Sequence, residues 1–233
     1  MNILAFDSAT AILSIALSSE KGYFYFEADA GPRHSELLLE ESRRLIEKAG
    51  LETASVSLFA CMGGPGSFTG LRIAFAAAKG MALGLGKPFV SVPTLDCMAL
   101  PHGHWPGAVL PVIDAKKNRF FAAVYREGKK AAPCVDGGIP ELLSLLRSGE
   151  KVLVTGPDAG LFMERLMSCP DKDDFLFVVD KDCRAGHAGH LLELAREKYI
   201  LKNSSDDFGA GPFYLRKSDA ELSLEEHGGQ ERQ

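Results

Sequence analysis

Two short runs hold residue types that could handle a phosphate or a proton. Asp7-Ser8-Ala9-Thr10 closes the apolar run Ile3-Leu4-Ala5-Phe6 with a carboxylate and two hydroxyls. Gly63-Gly64-Pro65-Gly66-Ser67-Phe68-Thr69-Gly70-Leu71-Arg72 places four glycines and a proline in eight residues, ahead of an alanine-rich stretch. A glycine loop that opens a helix exposes backbone N–H groups to an anion, but it equally lets a helix lie close to a neighbour. The spacing argues against catalysis at the loop. The Gly-x-x-x-x-Gly-Lys-Ser/Thr pattern is missing, and Ser67 has Pro65 and Thr69 where a nucleophile elbow needs glycines.

Metal chemistry has little to stand on. His102 and His104 fall in a Gly/Pro linker, while His187 and His190 sit one helical turn apart with no third ligand in view, so all four are expected in solvent and no metal site is expected. The five cysteines (Cys61, Cys97, Cys134, Cys169, Cys183) form no Cys-x-x-Cys pair and are expected as reduced thiols, mostly in the core.

These runs need elements to hold them. Ile3–Asp7, Leu13–Leu17 and Gly22–Phe26 read as three antiparallel strands. A helix over Glu36–Ala49 follows, with Ser35 as N-cap and Gly50 as C-cap. Its apolar stripe is Leu38, Leu39, Ser42, Leu45, Ile46 and Ala49; Leu37 and Glu41 fall on the polar side. Ser57–Met62 reads as a buried strand, the glycine loop launches a second helix to about Gly86, and Pro88–Val92 is another strand. The Pro/Gly-rich Pro101–Gly107 segment marks a boundary between halves.

Beyond it the pattern restarts. Val109–Asp114 is a strand ending on an aspartate, as Ile3–Asp7 does, and Phe120–Tyr125 is its partner. A helix at Pro140–Leu146, strands at Val152–Pro157 and Phe175–Val179, and a helix at His187–Ile200 follow. The expected organisation is two duplicated α/β subdomains, 1–105 and 106–217, with an acidic and disordered tail at 218–233. The formal charge is −5, and that tail carries most of it, so the body lacks the basic stripe a solitary nucleic-acid binder needs. No apolar run is expected to reach the roughly 18 residues of a membrane span, and the Met1-Asn2-Ile3 start carries no basic leader, so a cytoplasmic protein without a membrane partner is expected.

The opening Ile3–Thr10, His34-Ser35-Glu36-Leu37-Leu38, the Gly64–Arg72 loop, Asp114-Ala115-Lys116-Lys117 and Pro212-Phe213-Tyr214-Leu215-Arg216 together resemble the bacterial TsaB family, formerly YeaZ. The resemblance spans nearly the whole chain and is loosest in the second half and the tail. It implies the actin-like ATPase (ASKHA, ribonuclease H-like) fold and a part in making N6-threonylcarbamoyladenosine in tRNAs that read codons starting with A. It further implies a non-catalytic partner of a TsaD-type paralogue, working with a TsaE-type ATPase, meeting tRNA only through the complex, and forming a homodimer when alone. No cofactor is fixed by the sequence: ATP or ADP with magnesium is an open expectation for the assembled complex, and weak ATP binding by the chain alone is another.

Within that fold Asp7, Ser8 and Thr10 are the candidate nucleotide contacts. The counterpart loop Asp114–Arg119 has no glycine to let backbone approach phosphate, though Lys116, Lys117 and Arg119 would attract an anion. Gly64, Pro65, Gly66, Ser67, Phe68, Thr69, Gly70 and Arg72 are expected to be structural, setting the pose of the second helix. On that helix Ile73, Ala76, Ala77, Gly80 and Gly84 form a small-residue stripe opposite Leu71, Phe75, Ala78 and Ala82. The stripe, with Leu38, Ser42 and Leu45 of the first helix, is the expected partner-binding face; no catalytic residue is expected. The rival reading is an independent ATP-dependent phosphotransferase or hydrolase of the same fold.

Overall fold

A computed structural model describes residues 1–216; the acidic tail lies outside the described residues. The first half runs β1 (Ile3–Asp7), β2 (Ile12–Ser19), β3 (Gly22–Asp29), α1 (His34–Lys48), β4 (Leu58–Met62), α2 (Phe68–Leu85), β5 (Phe89–Val92) and α3 (Thr94–Ala99). The second runs β6 (Ala108–Lys116), β7 (Arg119–Ala122), β8 (Tyr125–Arg126), β9 (Lys129–Lys130), β10 (Val135–Gly137), α4 (Ile139–Leu143), β11 (Lys151–Thr155), α5 (Ala159–Leu166), β12 (Leu176–Val179) and α6 (Ala188–Lys202).

The sheets repeat one plan. In the first the order is β3-β2-β1-β4-β5, in the second β10-β7-β6-β11-β12, with the short β8 paired to β6 and β9 to β8. β1 and β6 pair antiparallel with β2 and β7, and parallel with β4 and β11. Strands β1 and β4 are buried along their whole length, because helices cover both faces, which is why they read as continuous apolar runs.

One face of the first sheet packs Leu4, Phe6, Ile15 and Phe59 against Leu38, Leu45 and Ile46 of α1 and Ala74, Phe75, Ala78 and Ala82 of α2. The other face packs Ile3, Ala5, Leu58 and Val90 against Ala188, Leu191, Leu192 and Ala195 of α6. The second sheet takes α4 and α5 on one face, through Leu142, Phe162 and Leu166, and on the other Leu95, Met98 and Ala99 of α3. Each half therefore lends its last helix to the other. The 106–217 unit is divided in space as a result: α6 lies on the first sheet, and the segment after it follows, with Asp206 and Phe213 bonded to Phe89 and Gly63.

Several local expectations change. A 3-10 turn at Gly31–Arg33 runs straight into α1, so the helix starts at His34 and Ser35 does not cap it. His34 is buried, with its ring nitrogens 2.6 Å from the Gly31 carbonyl oxygen and 3.0 Å from that of Thr10. The C-cap is Ala49 rather than Gly50, because the helix ends at Lys48; Gly50 follows at φ 60°, its N–H donating to the Glu47 carbonyl at 2.9 Å. Leu37 and Leu39 exchange roles: Leu37 leans on the core and Leu39 is exposed, and Glu41, placed on the polar side by the wheel, is buried. The second strand of the second half breaks at Ala123-Val124, dividing β7 from β8, and β6 runs past Asp114 through a bulge to Lys116. Although Arg72 and Lys79 interrupt its apolar residues, α2 as a whole has a mean hydropathy of 1.2 over 18 residues, the length and composition of a bilayer span, with 33% of it buried.

Candidate functional site

The glycine loop sits where four segments meet, and its glycines answer to backbone contacts. A Cβ on Gly70 would lie 1.8 Å from the Ser8 carbonyl oxygen, and one on Gly66 would lie 2.5 Å from that of Ala9. The turn after β1 therefore presses directly on the loop, closer than any side chain allows. Hydrogen bonds clamp the contact. Ser8 Oγ donates to the Gly70 carbonyl at 2.7 Å, Ser67 N donates to the Ala9 carbonyl at 2.7 Å, and Gly63 N donates to that of Val92 at 2.6 Å. Ser67 caps α2 by accepting from Gly70 N at 3.2 Å. The amides of Gly63, Ser67 and Gly70 are thus donated within the chain, which favours the structural reading of the loop over a phosphate cradle.

The segment ending the described chain docks on the same loop. Phe213 N donates to the Gly63 carbonyl at 2.8 Å, and the Tyr214 and Phe68 rings approach to 4.9 Å. Arg72 stacks on Phe68 at 3.7 Å and donates to the Tyr214 hydroxyl at 3.2 Å. Farther along α2, Lys79 Nζ donates to the carbonyls of Phe208 and Ala210. Both charges of α2 are thereby tied to the C-terminal segment. Sequence reasoning used Phe213 and Tyr214 only within the Pro212–Arg216 motif of the resemblance and gave them no place at the site; the signal was the aromatic pair itself.

Of the nucleotide candidates, only Thr10 reaches the cleft between the halves. Asp7 and Ser8 are buried at the end of β1 and their side chains serve the fold. Asp7 accepts Ala9 N at 3.1 Å, Ser14 Oγ at 3.4 Å and His187 N at 2.9 Å, while Ser14 Oγ accepts Ala188 N at 3.0 Å. A carboxylate and a hydroxyl from the first half therefore cap the N-terminus of α6 across 180 positions of chain. Burial pushes the Asp7 carboxyl up, opposed by the amides it accepts.

The cleft, about 950 Å³, runs from the glycine loop to Asp114 and Lys116, with Arg184 and Arg216 on its wall. Of its cations, Lys116 pairs with Asp114 at 2.8 Å. Near it, Arg119 pairs with Asp136 at 2.8 Å and Lys117 is exposed at the turn. Burial pushes the Asp114 carboxyl up, but the bond and charge of Lys116, helped by Arg165, outweigh it and hold it below the usual carboxylate range.

Three of the four histidines depart from the solvated picture, while His104 is exposed as expected. His187 is buried at the start of α6, its Nδ1 3.2 Å from that of His190, because α6 is drawn down onto Asp7. His102 pairs with Asp180 at 3.1 Å, linking the end of the first half to the end of β12. Among the described residues no His, Cys, Asp or Glu cluster has a metal-holding arrangement, and all five cysteines are free, with Cys61 and Cys97 buried.

The expected partner face divides in two. Leu38, Ser42 and Leu45 are buried against their own sheet, so they are removed from it: the apolar stripe of α1 is satisfied within the chain. On α2 the residues Leu71, Phe75, Ala78 and Ala82 do face the core, while Ala76, Gly80 and Gly84 are exposed and Ile73 and Ala77 half-buried. Nothing lies within 4 Å of where a Cβ would stand on Gly80 or Gly84.

Two α/β halves with the same strand order, duplicated about a cleft and exchanging their last helices, define the actin-like ATPase (ASKHA) class of fold. Known proteins narrow the class. The chain is 36% identical to the tRNA threonylcarbamoyladenosine biosynthesis protein TsaB of Escherichia coli, over 94% of this chain and 96% of that one, and 31% identical to that of Haemophilus influenzae, over 93% and 94%. A solved structure of YeaZ from Pseudomonas aeruginosa superposes with a TM-score of 0.75 at 25% identity, covering 92% of this chain and 99% of that one. Residues 28–151 match the family model described as TsaD, tRNA N6-adenosine threonylcarbamoyltransferase. The chain belongs to the TsaB (YeaZ) family of tRNA threonylcarbamoyladenosine biosynthesis proteins.

Proposed function

We propose that this protein is a non-catalytic subunit in the formation of N6-threonylcarbamoyladenosine in tRNA, and that it docks through the outer face of α2 on a TsaD-type paralogue. The observation that carries the reading is the exposure of that face. Helix α2 is apolar along its length yet only one-third buried, with Leu83 62% exposed beside the open stripe of Ala76, Gly80 and Gly84. Glycine in a helix costs up to about 1 kcal/mol against alanine, so two open glycines need a compensating contact, and small residues let a second helix approach closely. Kinship with the transferase model makes a paralogue of the same fold a fitting partner.

The non-catalytic assignment rests on Asp7. In this fold a carboxylate at the end of the first strand would serve a nucleotide and its metal; here both oxygens accept hydrogen bonds from the chain. On this reading a TsaE-type ATPase and any ATP or ADP with magnesium belong to the assembled cytoplasmic complex, and tRNA is met through it. Free of its partner, the exposed α2 face supports a homodimer.

Gly80→Leu tests the docking face. The substitution should raise thermal stability slightly, because leucine is the better helix former and meets open space. It should also abolish co-elution with the paralogue in gel filtration; a variant that still co-elutes refutes the interface. ATP turnover should be negligible with this protein alone, and tRNA modification by the mixture should require it.

A further inference from the structure

The duplication leaves an asymmetry between two sheet edges. In the first sheet β5 is the outer strand, and every outward main-chain group of its residues Phe89 and Ser91 has a partner. Phe89 N donates to Ser205 Oγ at 3.0 Å, and the Phe89 carbonyl accepts Asp206 N at 2.8 Å. Ser91 N donates to the Asp206 carboxylate at 2.8 Å, and the Ser91 carbonyl accepts Lys198 Nζ at 2.7 Å. The chain leaving α6 thus seals the β5 edge with an extended strap.

Strand β12 holds the same place in the second sheet, and the helix that would be followed by its strap is α3, whose chain leads instead into β6. Leu176 N and Asp180 N donate to the Glu150 and Val154 carbonyls, at 3.1 and 2.9 Å, so in this parallel ladder the main-chain groups of Phe177 and Val179 point away from β11. Among the described residues no segment covers them as Ser205 and Asp206 cover β5. The edge is also apolar, with Leu176 59% and Val179 39% exposed. Natural proteins blunt such edges, and one left open is a template for an added strand.

The geometry points to β12 as a second docking site, one that takes an extended segment of a partner protein as an added strand along the outer edge of β12, on the side away from β11. The flanks state the partner's chemistry. Between Asp171 and Asp182 lie five aspartates against two lysines, so acids bracket both ends of the strand. A second copy of this chain, paired antiparallel on β12, would bring Asp174 opposite Asp180 or Asp182, like charge on like. A segment with alternating apolar residues and lysine or arginine at its ends meets the edge with opposite charge. The site is separate from the α2 face, so it stands or falls independently of the docking reading above.

Hydrogen exchange of the full chain, read at Phe177 and Val179, tests this with two synthetic peptides, Lys-Lys-Val-Thr-Val-Thr-Val-Lys-Lys and the same strand flanked by glutamates. The lysine-flanked peptide should slow exchange at both amides about tenfold or more, and the glutamate-flanked one should leave it unchanged. Asp173→Lys combined with Asp174→Lys, at exposed positions, should abolish that protection with the fold intact. Val179→Pro, which removes an outward N–H only, should abolish binding as well. The inference is overturned if neither peptide protects these amides or if both do so equally. It is overturned too if the two amides are protected without peptide, whether at every protein concentration, by the chain's own residues, or increasingly with concentration, by a second copy.

Discussion

His187 shows how a residue with no evident chemistry comes to govern a property of the protein. Its amide is held by Asp7, its ring is buried, and burial, followed by the nearby His190 and His102, pushes its pKa down to about 4. In the unfolded chain the ring titrates near 6.5. Between the two values the unfolded chain binds a proton that the folded one does not, so the contribution of His187 is fully present above pH 6.5 and is lost as pH falls toward 4. The magnitude is about 3 kcal/mol. Urea unfolding at pH 7 and pH 4.5 should show that loss, and His187→Gln should flatten it over the same window. A variant with the wild-type slope would move the effect to another group. Asp7 was legible as a residue of consequence, since a carboxylate ending a buried strand draws notice. Its partner was not, because nothing local ties position 7 to position 187.

The glycine loop and α2 were the most readable elements, and their meaning turned on contacts that local pattern does not carry. Periodicity placed Leu71, Phe75, Ala78 and Ala82 on the core side correctly. It could not say whether Leu38, Ser42 and Leu45 of α1 meet this chain or another, since an apolar stripe is the same in either case. The glycines of the loop and helix look alike in sequence but differ physically. Gly70 has the Ser8 carbonyl oxygen where a Cβ would stand, and Gly84 has open space. Gly70→Ala must displace backbone that Ser8 Oγ and Ser67 N clamp, and should cost about 3 kcal/mol or more. Gly84→Ala should stabilise by up to about 1 kcal/mol. Guanidinium unfolding of the two variants checks both signs, and a tolerated Gly70→Ala would show that the turn after β1 can retreat from the loop.

At the scale of the molecule the duplication was visible in the strand-and-aspartate pattern, but the exchange of α3 and α6 was not. The amphipathic face of α6 names a sheet it must cover without saying which one. The exchange has a consequence for folding. Without α6 the first half would expose the face formed by Ile3, Ala5, Leu58, Ala60 and Val90, and would lose the cap contacts of Asp7 and Ser14. Without α3 the second half would expose Val109, Ile113 and Tyr125, and the Tyr125 hydroxyl and Lys130 ammonium would lose the Asp96 carboxylate they share. Each half packs one face of its sheet with its own helices and depends on the other half for the second face, although each has a complete five-strand order. A fragment of residues 1–107 should therefore unfold without a cooperative thermal transition and bind a hydrophobic dye. Adding the fragment of residues 108–233 should restore a single cooperative transition and suppress the dye signal, because α6 then returns to the first sheet and α3 to the second. A cooperative transition in the first fragment by itself would mean that α1 and α2 suffice to hold that sheet, and that α6 adds to a core already formed.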